Sequence, residues 1–133
     1  MILKISHIGI AVKDLESSNE LFSKLFAQNN PYTEHVPQEK VNLSFFPISD
    51  SILELIEPTD ASSSLSSFIN KRGEGLHHIC LEVDDIKYEI NRLKKLGFTF
   101  INNEPTVGGE GFLISFLNPK STNGVLIELC QKQ

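Results

Sequence analysis

The chain contains one unit twice, and the second copy repeats ionisable residues along with apolar ones. His7-Ile8-Gly9-Ile10-Ala11-Val12-Lys13-Asp14-Leu15 returns 71 positions later as His78-Ile79-Cys80-Leu81-Glu82-Val83-Asp84-Asp85-Ile86. Ser44-Phe45-Phe46 returns at the same offset as Ser115-Phe116-Leu117, and Ile52-Leu53-Glu54-Leu55 returns 74 positions later as Leu126-Ile127-Glu128-Leu129. The larger offset places three extra residues in the turn between Pro119 and Gly124. A repeat this short is one supersecondary unit that cannot close a core alone, so the copies are expected to pack on each other. Each copy contributes one His and one Glu. Two His and two Glu at matched positions are a donor set for a divalent metal ion on the axis between the copies.

Strand alternation over 2–12, a helical stretch capped by Asp14 and running to about Ala27, and extended segments at 32–36, 41–48 and 51–57 make the first copy βαβββ. Leu15, Leu21, Phe22, Leu25 and Phe26 are assigned to one face of its helix. A connector rich in Ser, Thr and Asp follows, with a short helix over 65–72 stopped at Gly73. The second copy reads as a strand over 76–83, a helix from Asp85 to Leu96 ended by Gly97, and strands near 98–101, 112–117 and 124–129. It is βαβββ again. The expected fold is α+β: two βαβββ modules, about 2–57 and 76–130, pair their sheets around a central metal-binding cavity with helices outside, in a single domain over 1–133. The glycine-rich run from Pro105 to Gly111 reads as a turn, a lid or a backbone lying close to a ligand.

With 133 residues, a formal charge of −5 and no run of Lys or Arg, the chain is expected to bind neither nucleic acid nor an anionic membrane. No stretch approaches the roughly 18 apolar residues of a membrane span, and a strand pattern begins at Ile2, so a cytoplasmic location is expected. Cys80 and Cys130 fall in strand patterns and are expected as buried free thiols.

Strand parity sorts the polar residues. If Ile8, Ile10 and Val12 face the helices, His7, Gly9 and Ala11 face the other side, where two small residues beside the His leave open volume. The same parity turns His78, Cys80 and Glu82 inward and packs Ile79, Leu81 and Val83, so His78 and not His77 is the ligand candidate. Glu54, flanked by Leu53 and Leu55, and Glu128, flanked by Ile127 and Leu129, face the cavity as well. A carboxylate between two packed aliphatics is costly to bury alone, and a cation is the simplest compensation. His35 lies in a polar connecting region and is expected to be solvated. Glu82, about 13 Å along the strand from His78 at about 3.3 Å per residue, belongs to the cavity rim.

The strings His7-Ile-Gly-Ile-Ala-Val12, Glu54-Leu-Ile-Glu-Pro58, Arg72-Gly-Glu-Gly-Leu-His-His-Ile79 and Pro119-Lys-Ser-Thr-Asn-Gly-Val-Leu-Ile-Glu-Leu129 resemble the methylmalonyl-CoA epimerase family of the vicinal oxygen chelate superfamily, which also contains glyoxalases and dioxygenases. The resemblance covers nearly the whole chain. It implies metal ligands at His7, Glu54, His78 and Glu128, the four that the repeat selects. It implies an isomerase that interconverts (2R)- and (2S)-methylmalonyl-CoA by removing and returning the C2 proton. The cofactor would be a divalent ion, Co2+ or Mn2+ first, Ni2+ or Zn2+ next, acting as a Lewis acid on the enolate. Glu128 is the candidate for one base, and Glu54 or a water for the donor on the opposite face. Lys120, Lys71 and Arg72 are candidates for the phosphates of an acyl-CoA substrate. A homodimer is expected.

Two departures from the family pattern stand out. Some relatives place a Glu near Asn42 or Leu43 as a second base, and this chain has none there. The family's usual Gly-Ala-His-Gly loop reads Gly108-Gly-Glu-Gly111. A glyoxalase I-type lyase uses the same four ligand types and is set back by the long specific strings. An extradiol dioxygenase would use only two His and one carboxylate for Fe(II). A metal-free small-molecule-binding protein of the same fold would need no matched ligands.

Overall fold

The computed structural model describes residues 1–133. In chain order the elements are β1 (Ile2–Ala11), α1 (Leu15–Phe26), β2 (Tyr32–Val36), β3 (Val41–Ile48), β4 (Ser51–Pro58), α2 (Ser64–Arg72), β5 (Gly75–Val83), α3 (Ile86–Lys95), β6 (Thr106–Val107), β7 (Leu113–Phe116) and β8 (Ile127–Gln131). This is mixed α+β, with βαβββ on each side of α2. The chain forms two compact units, one of Ile8–His77 and one that joins Met1–His7 to His78–Gln133. Strands β1 and β5 are therefore each divided between units, the cut falling beside a histidine in both.

In the unit Ile8–His77 the strand order is β2-β3-β4-β1. Strands β2, β3 and β4 pair antiparallel, with Tyr32 opposite Phe45 and Glu54 opposite Phe45 on the other side. One sheet face carries Ile10, Val12, Phe46, Leu53 and Leu55 against Leu15, Phe22 and Phe26 of α1. This is the parity the sequence predicts. Leu21 and Leu25 do not join that face. They are 62% and 68% exposed, because at 100° per residue they lie about 80–120° around the helix from Leu15. Asp14 caps α1 by accepting from the Ser17 amide, and Glu57 accepts from the Leu15 amide at 2.6 Å. The other sheet face packs Ala11, Val36, Val41, Leu43, Phe45 and Ile56 against Leu65 and Ile69 of α2. The open volume expected beside Ala11 is thus core, filled by the helix that the connector folds into.

In the second unit the order is β1-β5-β8-β7-β6. Strands β5 and β8 are parallel, with Ile79 opposite Ile127 and Cys80 opposite Glu128, while β7 pairs antiparallel with both β8 and β6. Leu81, Val83, Leu113, Leu117, Ile127 and Leu129 pack against Ile86, Ile90 and Leu93 of α3. The opposite face holds Cys80, Cys130, Ile114, Phe112 and Phe116.

The strand expected at 98–101 is absent apart from one bridge, Phe100 to Leu117; the short strand lies at Thr106–Val107. The amides of Gly97 and Phe98 turn back to Lys94 and Leu93 of α3, closing the helix instead of joining a ladder. Gly97, at φ +94, supplies the left-handed residue this closure needs. Phe98 and Phe100 anchor the segment in the core by side chain, and backbone bonds from Ile101 N to Phe116 O and from Asn118 N to Thr99 O flank the bridge. Strand β8 begins at Ile127, later than expected, because the amides of Gly124 and Val125 bond within the preceding turn, to Pro119 and Thr122.

Candidate metal centre

Three side chains of the unit that joins Met1–His7 to His78–Gln133 converge. His7 lies near the middle of β1, His78 on β5 and Glu128 on β8, each placed by strand alternation on the face away from α3. Their side chains are 14%, 3% and 7% exposed. His7 Nε2 lies 3.0 Å from His78 Nε2. Glu128 Oε2 lies 3.0 Å from His78 Nε2 and 3.3 Å from His7 Nε2. The two imidazoles meet edge to face, with centroids 5.1 Å apart and planes at 87°.

Two things orient the rings. Ser6 Oγ is 3.2 Å from His7 Nδ1, a contact that leaves Nε2 pointing at the cluster. The His78 ring stands edge-on to Phe116 at 5.9 Å.

Burial pushes the Glu128 carboxyl up, but hydrogen bonds and charge from His7 and His78 outweigh it and hold the group at about 2. The carboxylate is therefore ionised at neutral pH. Two imidazole nitrogens and one carboxylate oxygen aimed at a common point are also a facial set of metal donors. For an ion with bonds of about 2.1 Å at right angles, neighbouring donors stand about 3.0 Å apart. The observed 3.0, 3.0 and 3.3 Å fit that requirement.

Glu54 belongs to the other unit. It is 7% exposed on the face of β4 that carries Ile52 and Ile56, opposite Phe45 of β3. Its neighbours Leu53 and Leu55 pack on α1, as parity requires. His77 points away from the position of His78 and meets the Phe68 ring edge-on at 4.8 Å, with Arg72 stacked over the same ring at 5.7 Å. Lys71 and Arg72 are exposed at the C-terminal end of α2, and Lys120 is exposed in the turn after β7. Glu82 is half-buried and pairs with Lys4 at 3.7 Å. His35 is exposed, but on β2 and not in a connector, and its Nδ1 hydrogen-bonds Asn42 Oδ1 at 2.7 Å. At the position where some relatives carry a base, Leu43 is buried in the core beneath α2.

One further donor, turned inward by the same parity as His78, stands beside these. Cys80 joins His7 and Glu128 in a group whose ligand atoms all lie within 4.8 Å of one another. Its spacing of two from His78 was the available signal. Cys80 and Cys130 are both buried and form no disulfide, as expected, and a hydrogen bond from Cys80 holds the Cys130 thiol below its ordinary range.

Comparisons with known proteins show which proteins the chain resembles. The sequence profile of the Glyoxalase/Bleomycin resistance protein/Dioxygenase superfamily matches residues 6–116. The ethylmalonyl-CoA/methylmalonyl-CoA epimerase of Cereibacter sphaeroides is 34% identical over 98% of this chain and 99% of its own. An uncharacterized protein of Bacillus subtilis is 35% identical over 96% of this chain and 91% of its own. The solved structure of a Streptomyces coelicolor methylmalonyl-CoA epimerase variant in complex with 2-nitronate-propionyl-CoA superposes with a TM-score of 0.92 at 32% identity, covering 99% of this chain and 96% of that one. The chain belongs to the glyoxalase/bleomycin resistance protein/dioxygenase superfamily, within its methylmalonyl-CoA epimerase family.

Proposed function

We propose that this protein is an isomerase that interconverts (2R)- and (2S)-methylmalonyl-CoA by taking the C2 proton and returning it on the opposite face. The observation that carries the reading is the convergence of His7, His78 and an ionised Glu128 at 3.0–3.3 Å. The similarity to epimerases over nearly the full chain supports it.

In this reading His7, His78 and Glu128 hold a divalent cation, with Glu54 as the fourth ligand on the strength of the repeat and of its burial. Co2+ or Mn2+ is the first choice, Ni2+ or Zn2+ the second. Such an ion supplies positive charge where negative charge develops on the thioester oxygen.

The chain's own residues do the rest. Glu128, ionised throughout the neutral range, accepts the C2 proton. Glu54 or a water serves the opposite face. Cys130, Ile114, Phe112 and Phe116 line the apolar side of the cluster, where low dielectric strengthens every charge interaction. Lys120, Lys71 and Arg72 are proposed for the CoA phosphates.

The protein is proposed to act as one cytoplasmic domain in a homodimer. Ile2, Leu3 and Ile5 of β1, 46%, 53% and 49% exposed, supply apolar surface for a second copy. No helix is long and apolar enough to cross a membrane.

The test is incubation of metal-loaded protein with each pure stereoisomer. Interconversion is expected from both sides; turnover of the hemithioacetal of methylglyoxal and glutathione without any interconversion would replace the assignment with a glyoxalase.

A further inference from the structure

Cys80 stands two residues after His78 on β5 and directly opposite Glu128 on the parallel neighbour β8. Strand alternation therefore puts its thiol on the same face as both. It is fully buried. The ligand atoms of His7, Cys80 and Glu128 lie within 4.8 Å of one another, so a sulfur donor stands beside the nitrogen and oxygen donors. In the first copy of the repeat the matching position is Gly9. Sulfur thus enters from one copy only, and the centre is chemically lopsided.

We propose that Cys80 is a further ligand of this centre and makes it select thiophilic divalent ions, Zn2+, Co2+ or Cd2+, over Mn2+, Mg2+ and Ca2+. The proposal rests on the reading that His7, His78 and Glu128 hold a cation, and it deepens that reading by re-ranking the candidate ions, with Co2+ and Zn2+ placed ahead of Mn2+. Thiolate sulfur is a soft donor that strengthens binding of borderline and soft ions, while hard ions gain little from it.

With metal–sulfur bonds of about 2.3 Å and metal–nitrogen bonds of about 2.1 Å, two donors of one ion stand at most about 4.4 Å apart. The ligand atoms of His7, Cys80 and Glu128 lie within 4.8 Å of one another, a span that includes such separations. On binding, the S–H bond breaks, the sulfur–metal bond forms and the proton leaves to solvent, with no change of oxidation state. Cys130 lies beyond the first row of donors, two residues past Glu128 and hydrogen-bonded to Cys80.

Cobalt provides the readout. Full-length protein and its Cys80→Ala, Cys80→Ser and Cys130→Ala variants are loaded with Co2+ and examined by absorption spectroscopy. Competition between Zn2+ and Mn2+ is measured alongside. The wild type and Cys130→Ala should show an intense thiolate-to-cobalt charge-transfer band in the near ultraviolet. Cys80→Ala and Cys80→Ser should bind cobalt without it, and their preference for Zn2+ over Mn2+ should fall at least tenfold; Cys80→Ser serves if the alanine variant does not fold. A wild-type cobalt complex lacking the band, failure of the wild type to bind cobalt, or an unchanged band and metal preference in both Cys80 variants overturns the proposal. Epimerase activity of the manganese-loaded wild type is assayed separately. Interconversion without the cobalt band sinks the sulfur ligand and leaves the function standing, and the band without interconversion does the reverse.

Discussion

His7 and His78, 71 residues apart in the chain, bring their Nε2 atoms to 3.0 Å with ring planes at 87°. Two neutral imidazoles at this distance must share one proton between them, whereas a cation accepts a lone pair from both at once. The pair is the place where the two copies of the repeat show the same chemistry in one unit, since Met1–His7 joins His78–Gln133.

The neighbouring histidine makes the first prediction. His78→Ala removes a donor from the cluster and should lower metal affinity by more than about 100-fold. His77→Ala removes the edge contact to Phe68 and no donor of the cluster, so it should keep the metal while losing some stability. Metal content after dialysis and thermal melting separate the two, and equal metal loss in both would refute the register assigned to β5.

Acid should unfold the metal-free protein partly through Glu128. Its carboxyl falls from an ordinary 4.5 in the open chain to about 2 in the fold. A depressed carboxylate stabilises the fold fully above the unfolded value, and that contribution is lost as pH falls from about 4.5 through about 2. Glu128→Gln should therefore flatten stability against pH across this window, measured by denaturant titration at each pH.

Two buried hydroxyls should prove dispensable. Ser44 and Ser115 occupy matched positions of the repeat, are 0% and 3% exposed, and their Oγ atoms have no hydrogen-bond partner. An unpaired buried polar group is a cost of burial without the return of a bond. Ser115→Ala, and separately Ser44→Ala, should leave stability unchanged or raise it by up to about 1 kcal/mol in denaturant melts. A loss of more than that would mean each hydroxyl has a partner in solution.

The legible parts of this molecule are those where neighbouring residues in the chain decide the outcome. Strand parity placed His78 and Glu128 on one face and Leu81, Val83 and Leu129 on the other, because alternation leaves only two choices. Asp14 is visible as a helix cap because the cap is a local hydrogen bond, and Asp85, at the matching place in the repeat, caps α3 in the same way. What could not be read depends on partners far along the chain. Ala11 looks like the edge of a cavity until α2 brings Leu65 and Ile69 onto it. Phe98 and Phe100 alternate like a strand, yet the Phe98 amide is taken by the end of α3 and only one bridge, at Phe100, forms beyond it. Parity turns Cys80 inward with His78, but its place beside the Glu128 carboxylate depends on the register of β5 against β8.

The fate of the substrate proton gives the last prediction, and it tests the chemistry more directly than the loss of activity does. If Glu128 takes the C2 proton and the opposite face is served by Glu54 or a water, the returned proton does not need to be the one removed. Methylmalonyl-CoA incubated with metal-loaded protein in deuterium oxide should then gain deuterium at C2 as the stereoisomers interconvert, followed by mass spectrometry. Free methylmalonate should be labelled far more slowly, because the CoA portion supplies binding energy that orients the acidic carbon. Glu128→Gln keeps the size of the side chain and removes its basicity, so it should slow labelling by at least about 100-fold. Binding of a non-reacting CoA ligand should fall much less, provided the amide oxygen retains the metal. Labelling at the wild-type rate in Glu128→Gln protein that still holds its metal would take the base away from this residue.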